Sequence, residues 1–314
     1  MFNKELIQKN NTIIVGLSGG PDSVYLLHQL HIIKDEYNLT LIAAHLDHEW
    51  RKDSDKDVLF CKQLCEKLDI IFVHGKASRL EQSFKYNGSK EELGRNLRRH
   101  FFESLRNEYK ADYIALAHHE DDQLETFFIR LIRGTTISGI IGIKEKDDLY
   151  IRPLLNCSKK EILDFLKTNS IQFLTDPTNE SDEFLRNKIR NKLVPVFADC
   201  DERYKKNTLR FMAQLAETEQ YLQEHTEHSF KTLFEDKTLN ILLFQKLSLF
   251  IQKRIVSLWL CNEASEFQLT ETFINEIIRF LLYPHNPTHK KTHQLGNQWV
   301  MYKHCNKALI KNVP

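Results

Sequence analysis

Residues 18–23 have the composition of an anion-binding loop. In order they are Ser18, Gly19, Gly20, Pro21, Asp22 and Ser23. Consecutive glycines permit backbone angles that direct successive N–H groups at one anion. Pro21 suits the first turn of a helix, whose N-terminus adds partial positive charge, and Ser23 can offer a hydroxyl. The segment is therefore predicted to bind phosphate groups.

Asp22 extends this prediction to a metal ion. A carboxylate would repel a bare phosphate, so its presence in the loop indicates Mg²⁺ between Asp22 and the phosphates of a nucleotide. The loop lacks the Gly-Lys-Ser/Thr sequence of a Walker-type P-loop. An ordinary strand-to-helix turn is the alternative, but chance matching of the pattern is on the order of one in a million per site.

A second group of candidate residues surrounds an acidic segment that starts at His118. It comprises His118, His119, Asp121, Asp122 and Glu125. Asp122 and Glu125 lie one helical turn apart, so both can reach the same face and either hold Mg²⁺ or receive an ammonium group. Acids that merely complement a helix dipole are the alternative. Adjacent histidines cannot point the same way from a strand, which disfavours zinc.

Two further groups contain histidine and arginine. His45, Asp47 and His48 stand at the end of an apolar run, where a capped helix start is the alternative to a ligand site. Arg95 lies on a predicted helix, close to Glu92, so a plain ion pair competes with binding of an oxyanion by its planar guanidinium group.

The elements that would position these residues alternate between strands and helices. Strands are predicted at 12–17, 41–46, 70–73 and 113–117, and helices at 52–68 and 89–108. Buried strands alternating with helices indicate an α/β fold, with a doubly wound parallel sheet. Ligands of such sheets bind beyond the carboxyl ends of the strands, where the loop and the histidine motifs fall.

The sequence after Pro153 is mostly helical. It contains a short helix near 158–168, a polar linker at 175–182, helical sequence to about 282 and a β-hairpin made from residues 299–302 and 308–310. We predict a catalytic domain at 1–215 and a region at 216–314 that contacts nucleic acid. Lysines and histidines between 285 and 311 could follow RNA phosphates there.

Composition limits the classes of protein to which this chain can belong. The 314 residues carry 44 Lys+Arg against 43 Asp+Glu, so RNA contacts would have to come from local basic patches. The six cysteines include no C-x-x-C pair and are predicted to be reduced thiols. The absence of a signal-peptide core and of a membrane-length apolar run predicts a cytoplasmic protein without membrane contact.

The loop resembles that of the PP-loop ATP pyrophosphatase superfamily, whose members split ATP between the α- and β-phosphates and adenylate a carbonyl oxygen. Together with the two histidine motifs and the segments at 131–134, 152–155, 176–179 and 186–190, the chain resembles the tRNA(Ile)-lysidine synthase family over about residues 10–215. The resemblance implies an adenine nucleotide α-hydrolase-like fold, use of ATP and Mg²⁺, and L-lysine and tRNA as substrates. Homodimerisation is left open.

The same resemblance assigns roles to residues. Asp121, Asp122 and Glu125 would recognise lysine and handle its proton, with Arg95 on the adenylate or on the lysine carboxylate. The loop with His45, Asp47 and His48 would bind ATP. The expected substrate-binding residues are Asp122, His118, Arg133, Arg186 and Arg190, of which the last two could instead lie on a solvated helix face. The family usually has glycine where this chain has Glu49.

The implied reaction adenylates the two-position carbonyl of the wobble cytidine, and the lysine ε-amino group then displaces AMP. Three alternatives remain. A PP-loop tRNA thiolase would also adenylate a base but relies on paired cysteines, which this sequence lacks. A catalytically inactive tRNA-binding scaffold would have no need of the acids. A ligase with a small-molecule acceptor is the third, although no glutaminase segment is visible.

Overall fold

The computed structural model describes residues 2–51, 53–81, 90–175, 185–264, 267–284, 289–296 and 298–313. The chain forms two compact units, Met1–Ala213 and Gln214–Pro314. The sequence predicts the division after residue 215. The assignment of RNA contacts to the second part stays a prediction.

A six-stranded sheet organises the first unit. Its strands are β1 (Thr12–Gly16), β2 (Thr40–Asp47), β3 (Ile71–Lys76), β4 (Tyr113–Ala115), β5 (Lys146–Asp147) and β6 (Tyr150–Ile151). Their order is β3-β2-β1-β4-β6-β5, and all neighbours are parallel except β5 and β6. The predicted doubly wound sheet is confirmed, with an antiparallel edge that the sequence did not predict.

Helices cover both faces of this sheet. They are α1 (Pro21–Ile32), α2 (Lys34–Tyr37), α3 (Asp55–Lys67), α4 (Ala77–Glu81), α5 (Lys90–Tyr109), α6 (Glu120–Arg133), α7 (Ile137–Ile140), α8 (Lys159–Thr168), α9 (Leu185–Lys188) and α10 (Val194–Cys200). Because side chains alternate along a strand, Ile13 and Val15 pack with α1 and α8, whereas Ile14 packs with α5 on the other face.

The helix starts at the sheet edge are defined by local sequence. Pro21 opens α1 directly after Gly20. His119 caps α6: its side chain accepts the backbone N–H of Asp121, and the Asp122 carboxylate accepts the N–H of His119 in return. Gly134, with a φ of 76°, ends α6. These caps fix where the acidic side chains of α6 begin.

The second unit begins within a long helix, α11 (Tyr204–Leu233), and contains α12 (Ile241–Phe244), α13 (Leu249–Glu263) and α14 (Glu271–Leu282). Its antiparallel sheet has the order β7-β8-β11-β10-β9. These strands are β7 (Phe234–Glu235), β8 (Thr238–Asn240), β9 (Lys291–Gln294), β10 (Trp299–His304) and β11 (Lys307–Asn312). The predicted hairpin is confirmed as β10 and β11, and the other three strands are too short to show alternation in the sequence.

Two polar contacts lie inside the second unit. Arg254 donates two hydrogen bonds of 2.9 Å to the Glu219 carboxylate, and both side chains are mostly buried. The Lys303 ammonium group donates to the carbonyls of Leu281 and Tyr283 at the end of α14. These contacts account for three mostly buried charged side chains in this unit without a ligand.

Two further features concern the chain as a whole. All six cysteines are free thiols, as the sequence predicts. Within the described residues, no helix is both long enough and apolar enough to cross a membrane.

Candidate active site

The phosphate loop follows β1 and needs a glycine at its second position. Gly19 has a φ of +83°, which side chains disfavour, and a Cβ there would lie 2.8 Å from Cδ1 of Leu174. The next residue, Gly20, is the N-cap of α1 and makes no side-chain cap hydrogen bond. The N-terminus of α1 is therefore suited to an anion.

Ser23 shapes this loop from within. Its side chain is buried, accepts the N–H of Ser18 at 3.1 Å and donates to the carbonyl of Gly20 at 3.0 Å. The Ser18 hydroxyl accepts the N–H of Gly20 at 3.3 Å. The two serines therefore hold the loop in its curved conformation. A direct contact of Ser23 with phosphate stays a prediction.

Asp22 projects from the first turn of α1 between two basic groups. Its Oδ1 lies 2.6 Å from Nζ of Lys159, and its Oδ2 lies 3.6 Å from Nε2 of His119. Burial opposes ionisation of Asp22, but His119 and Lys159 outweigh it and lower the pKa of the carboxyl group. Asp22 is therefore ionised at neutral pH.

The donor set around Asp22 suits a magnesium ion that arrives with phosphates. Among the described residues, no group of three or more His, Cys, Asp or Glu side chains could hold a metal ion. Mg²⁺ usually binds through one or two carboxylates together with substrate phosphates and water. One ionised carboxylate on an anion-binding loop meets that requirement, so the fit is acceptable.

His45 supports the loop from the neighbouring strand. It lies in β2, is buried, and its Nδ1 is 2.8 Å from the carbonyl oxygen of Leu17, the residue before the loop. Burial lowers the pKa of His45, so the ring is neutral and can donate from Nδ1. This contact fixes the end of β1, and ligand binding by His45 stays a prediction.

Asp47 and Glu49 form the turn after β2. Glu49 has a φ of +56°, in the left-handed region that favours glycine. Its N–H donates to Oδ1 of Asp47 at 2.8 Å, and its carboxylate accepts the N–H of Ser78 at 2.9 Å. Asp47 is buried and also accepts the hydroxyl of Ser54 at 3.1 Å. Side-chain contacts thus hold the turn without glycine.

His48 lines a cavity of about 370 Å³ at the end of β2. Its ring stacks on Trp50 with centroids 4.7 Å apart, and a Cβ at Gly94 would lie 2.8 Å from the Trp50 ring. Burial lowers the pKa of His48 to about 4. The volume is within the range of ligand pockets, and two aromatic rings on its wall suit a planar group.

The acids of α6 are paired with arginines from a later segment. Nε of Arg186 lies 2.6 Å from Oε2 of Glu125, and its Nη2 lies 2.6 Å from Oδ1 of Asp122. Nε of Arg190 lies 2.6 Å from Oε1 of Glu125, whose side chain is only 2% exposed. The structure therefore brings these four predicted residues together as one charge cluster.

Asp121 belongs to a more open part of the same helix start. The ammonium group of Lys205 contacts Asp121 and lies 3.1 Å from Oε2 of Glu120. The Asp121 side chain is 35% exposed, against 2% for Glu125. Glu120 and Asp121 therefore bind a primary ammonium group in this structure, that of Lys205 in the same chain.

His118 and His119 point in different directions, as expected for neighbours after a strand. Nε2 of His119 lies 3.6 Å from both Asp22 and Asp122, so this ring stands between the phosphate loop and α6. Burial lowers the pKa of His118 to about 4, with Arg152 and Arg186 acting in the same direction against Asp122. His118 is therefore neutral at pH 7.

The remaining predicted arginines differ in position. Arg95 is exposed, and its charge contributes to lowering the pKa of Arg130 and of Arg152, behind the larger effect of burial. Arg133 is exposed at the far end of α6, about 18 Å along the helix from Asp121. Arg133 therefore does not join the acid cluster, and its predicted substrate role has no support from this geometry.

Sequence reasoning missed two residues of the site, Lys159 and Lys205, and considered His119 only as a disfavoured zinc ligand. The capping role of His119 could have been found from its position before an acidic first turn. Lys159 and Lys205 are separated from their carboxylate partners by 137 and 84 residues, and no motif signals those contacts. The predicted motif at 176–179 lies outside the described residues.

The fold and this site define a class of protein. The family model for the PP-loop domain matches residues 1–197, and the chain belongs to that family. A solved U34-tRNA thiolase, NcsA from Methanococcus maripaludis with its 4Fe-4S cluster, aligns with a TM-score of 0.57 at 18% identity over 69% of this chain and 76% of that one. That likeness shows a shared fold.

Curated relatives within this class are tRNA(Ile)-lysidine synthases. One from Clostridium tetani is 44% identical over 196 residues, which are 62% of this chain and 42% of the relative. One from Bacillus cereus is 33% identical over 290 residues, covering 88% of this chain and 61% of the relative. These matches confirm the resemblance predicted from the motifs. The chain spans roughly half of the length of such relatives.

Proposed function

We propose that this protein joins L-lysine to the two-position carbon of the wobble cytidine in an isoleucine tRNA with a CAU anticodon, using ATP and Mg²⁺ in the cytoplasm. The observation that carries the proposal is the junction of two sites at one sheet edge. His119 lies 3.6 Å from Asp22 of the phosphate loop and 3.6 Å from Asp122 of the acid cluster. The candidate nucleotide site and the candidate lysine site are thus adjacent.

In the first step the cytidine carbonyl oxygen bonds to the α-phosphorus of ATP, and the electron pair of the broken P–O bond leaves with pyrophosphate. The backbone N–H groups of the loop and the N-terminus of α1 are suited to the phosphates. Asp22 would hold Mg²⁺, which neutralises charge on the departing group. The cavity beside His48 and Trp50 is a candidate for a planar base.

In the second step the ε-amino nitrogen of lysine bonds to the two-position carbon, and AMP leaves with the oxygen. Lysine must first lose a proton, for which a carboxylate is the natural acceptor. Asp121 is the better candidate in this structure, since it is partly exposed and already contacts an ammonium group. Glu125, with both oxygens bound by arginines, is suited to holding Arg186 and Arg190.

The test uses the protein with Mg²⁺, ATP, radiolabelled lysine and an isoleucine tRNA transcript with a CAU anticodon. The matched control is the same transcript with uridine at the wobble position, because uridine lacks the four-amino group of the expected substrate. Label on the first transcript alone, with one AMP released per lysine, supports the proposal. No label with active protein, or ATP-dependent transfer from a sulfur donor, contradicts it.

A further inference from the structure

Lys159 is a basic side chain beside the phosphate loop to which no motif assigns a role. It is the first residue of α8, directly after the N-cap Ser158. Ser158 accepts the N–H of Glu161 at 3.2 Å, and the Glu161 carboxylate accepts the N–H of Ser158 at 2.8 Å. This capping box fixes the backbone of Lys159 without help from its own side chain.

Apolar contacts hold α8 against α1. Tyr25 and Phe165 meet edge to face with ring centroids 5.0 Å apart. Ile162 and Leu166 are fully buried and share one core cluster with Val24 of α1. The helix start that carries Lys159 is therefore fixed beside the first turn of α1, where Asp22 lies.

The ammonium group of Lys159 is 2.6 Å from Oδ1 of Asp22. The side chains are 34% and 27% exposed, and ion pairs this accessible to water contribute little to folding stability. The cap and the apolar contacts already hold α8 in place. The position of Lys159 is better explained by the phosphate loop. That loop is expected to bind an anion although it carries the negative charge of Asp22, and a nearby ammonium group would favour such binding.

We propose that Lys159 binds the β- and γ-phosphates of ATP and stabilises pyrophosphate as it leaves, and that Asp22 keeps the ammonium group at the loop until the nucleotide arrives. No proton needs to move, because the ammonium group stays charged while the electron pair leaves with pyrophosphate. The inference rests on the proposed function only for the nature of the nucleotide. It predicts that Lys159 strengthens binding of a polyphosphate but not of AMP.

Calorimetric titration of the full chain with ATP, AMP and inorganic pyrophosphate, each with Mg²⁺, tests this inference. Lys159→Met should bind ATP and pyrophosphate at least about tenfold more weakly, since a charge-assisted hydrogen bond is lost. Binding of AMP should change by less than about twofold. Lys159→Arg should restore most of the affinity. The matched control is Lys160→Met, which removes the neighbouring exposed lysine of the same helix turn.

Three results would overturn the inference. Lys159→Met could keep parental affinity for ATP and pyrophosphate, which would show that Lys159 does not bind the phosphates. It could instead lose affinity for AMP as much as for ATP, which would indicate a purely structural role. Equal effects of Lys159→Met and Lys160→Met would indicate nonspecific charge. Because these titrations need neither tRNA nor lysine, a protein that makes no lysidine but shows the Lys159 pattern would contradict the proposed function alone.

Discussion

The phosphate loop and the acidic start of α6 follow neighbouring strands, β1 and β4, but they are built differently. In the loop, Ser18, Gly20 and Ser23 hydrogen-bond one another within six consecutive residues. In the acid cluster, Glu125 contacts Arg186 and Arg190, which are 61 and 65 residues away in the chain. The hydrogen bonds that curve the loop are local in sequence, whereas the acid cluster exists only after tertiary folding.

This difference predicts that variants in the loop affect chemistry, whereas variants in the acid cluster affect chemistry and stability together. The loop is held by backbone groups and short side chains. The cluster contains a carboxylate that burial would destabilise without its arginine partners. The predictions below test that contrast.

The largest effect is expected for Asp22→Asn. Pyrophosphate exchange into ATP, measured with tRNA and Mg²⁺, should fall at least about 100-fold, because the variant loses the charge that would hold Mg²⁺ at the phosphates. The free energy of unfolding in urea should change little, since Asp22 is partly exposed. Asp35→Asn, on the exposed surface of α2, is the control. Retained exchange in Asp22→Asn would remove the metal assignment.

The next effect concerns Glu125→Gln. Loss of the carboxylate charge leaves Arg186 and Arg190 without a full partner, so we expect the free energy of unfolding to fall by about 2 kcal/mol. Lysine transfer from preformed adenylate should fall more than adenylation itself. Urea unfolding and single-turnover assays of the two steps measure these effects. Glu217→Gln, on the exposed surface of α11, is the control.

Two outcomes would contradict this view of the cluster. A Glu125→Gln variant with parental stability would show that the arginines are held by other contacts. Equal losses in adenylation and in lysine transfer would remove the assignment of the cluster to the second step.

The sequence predicted the local parts of the molecule well. Four parallel strands and the phosphate loop follow from apolar runs and a glycine pair. It did not predict β5 and β6, because strands of two residues have no readable alternation. Nor could it predict that Lys159 meets Asp22, since the contact depends on how α8 packs against α1.

Within the candidate site, too, placements that depend on local spacing were predicted better than placements that depend on the rest of the fold. Asp122 and Glu125 were assigned to one helix face from their spacing, and that placement is confirmed by their shared contact with Arg186. Arg133 was assigned from the motif alone and lies at the other end of the helix. The motif therefore named Arg133 as a site residue, but the length of α6 places Arg133 away from the acids at the start of the helix.

A smaller effect should appear in the pH dependence of stability. The pKa of His48 is about 4 in the folded protein and near 6.5 in the unfolded chain, so the unfolded state binds more protons between these values. Stability should therefore fall as pH decreases from 6.5 toward 4. His48→Phe, which keeps a ring against Trp50, should reduce the loss between pH 7 and pH 5 by at most about 2 kcal/mol in urea unfolding. An unchanged pH profile in that variant would contradict the burial of a neutral ring.

The smallest effect is expected in the stability of variants at Glu49, in the turn after β2. These variants separate the contribution of the Glu49 side chain from the cost of its left-handed backbone conformation. Glu49→Ala keeps the left-handed strain of a φ of +56° and loses the hydrogen bond to the N–H of Ser78, so it should destabilise the protein. Glu49→Gly loses the same hydrogen bond but removes the strain, so it should be about 1 kcal/mol more stable than Glu49→Ala in urea unfolding. If alanine proved as stable as glycine, the turn would not be strained. The turn would then accept a side chain at position 49 without a backbone cost, and the contact with Ser78 would have no strain to offset.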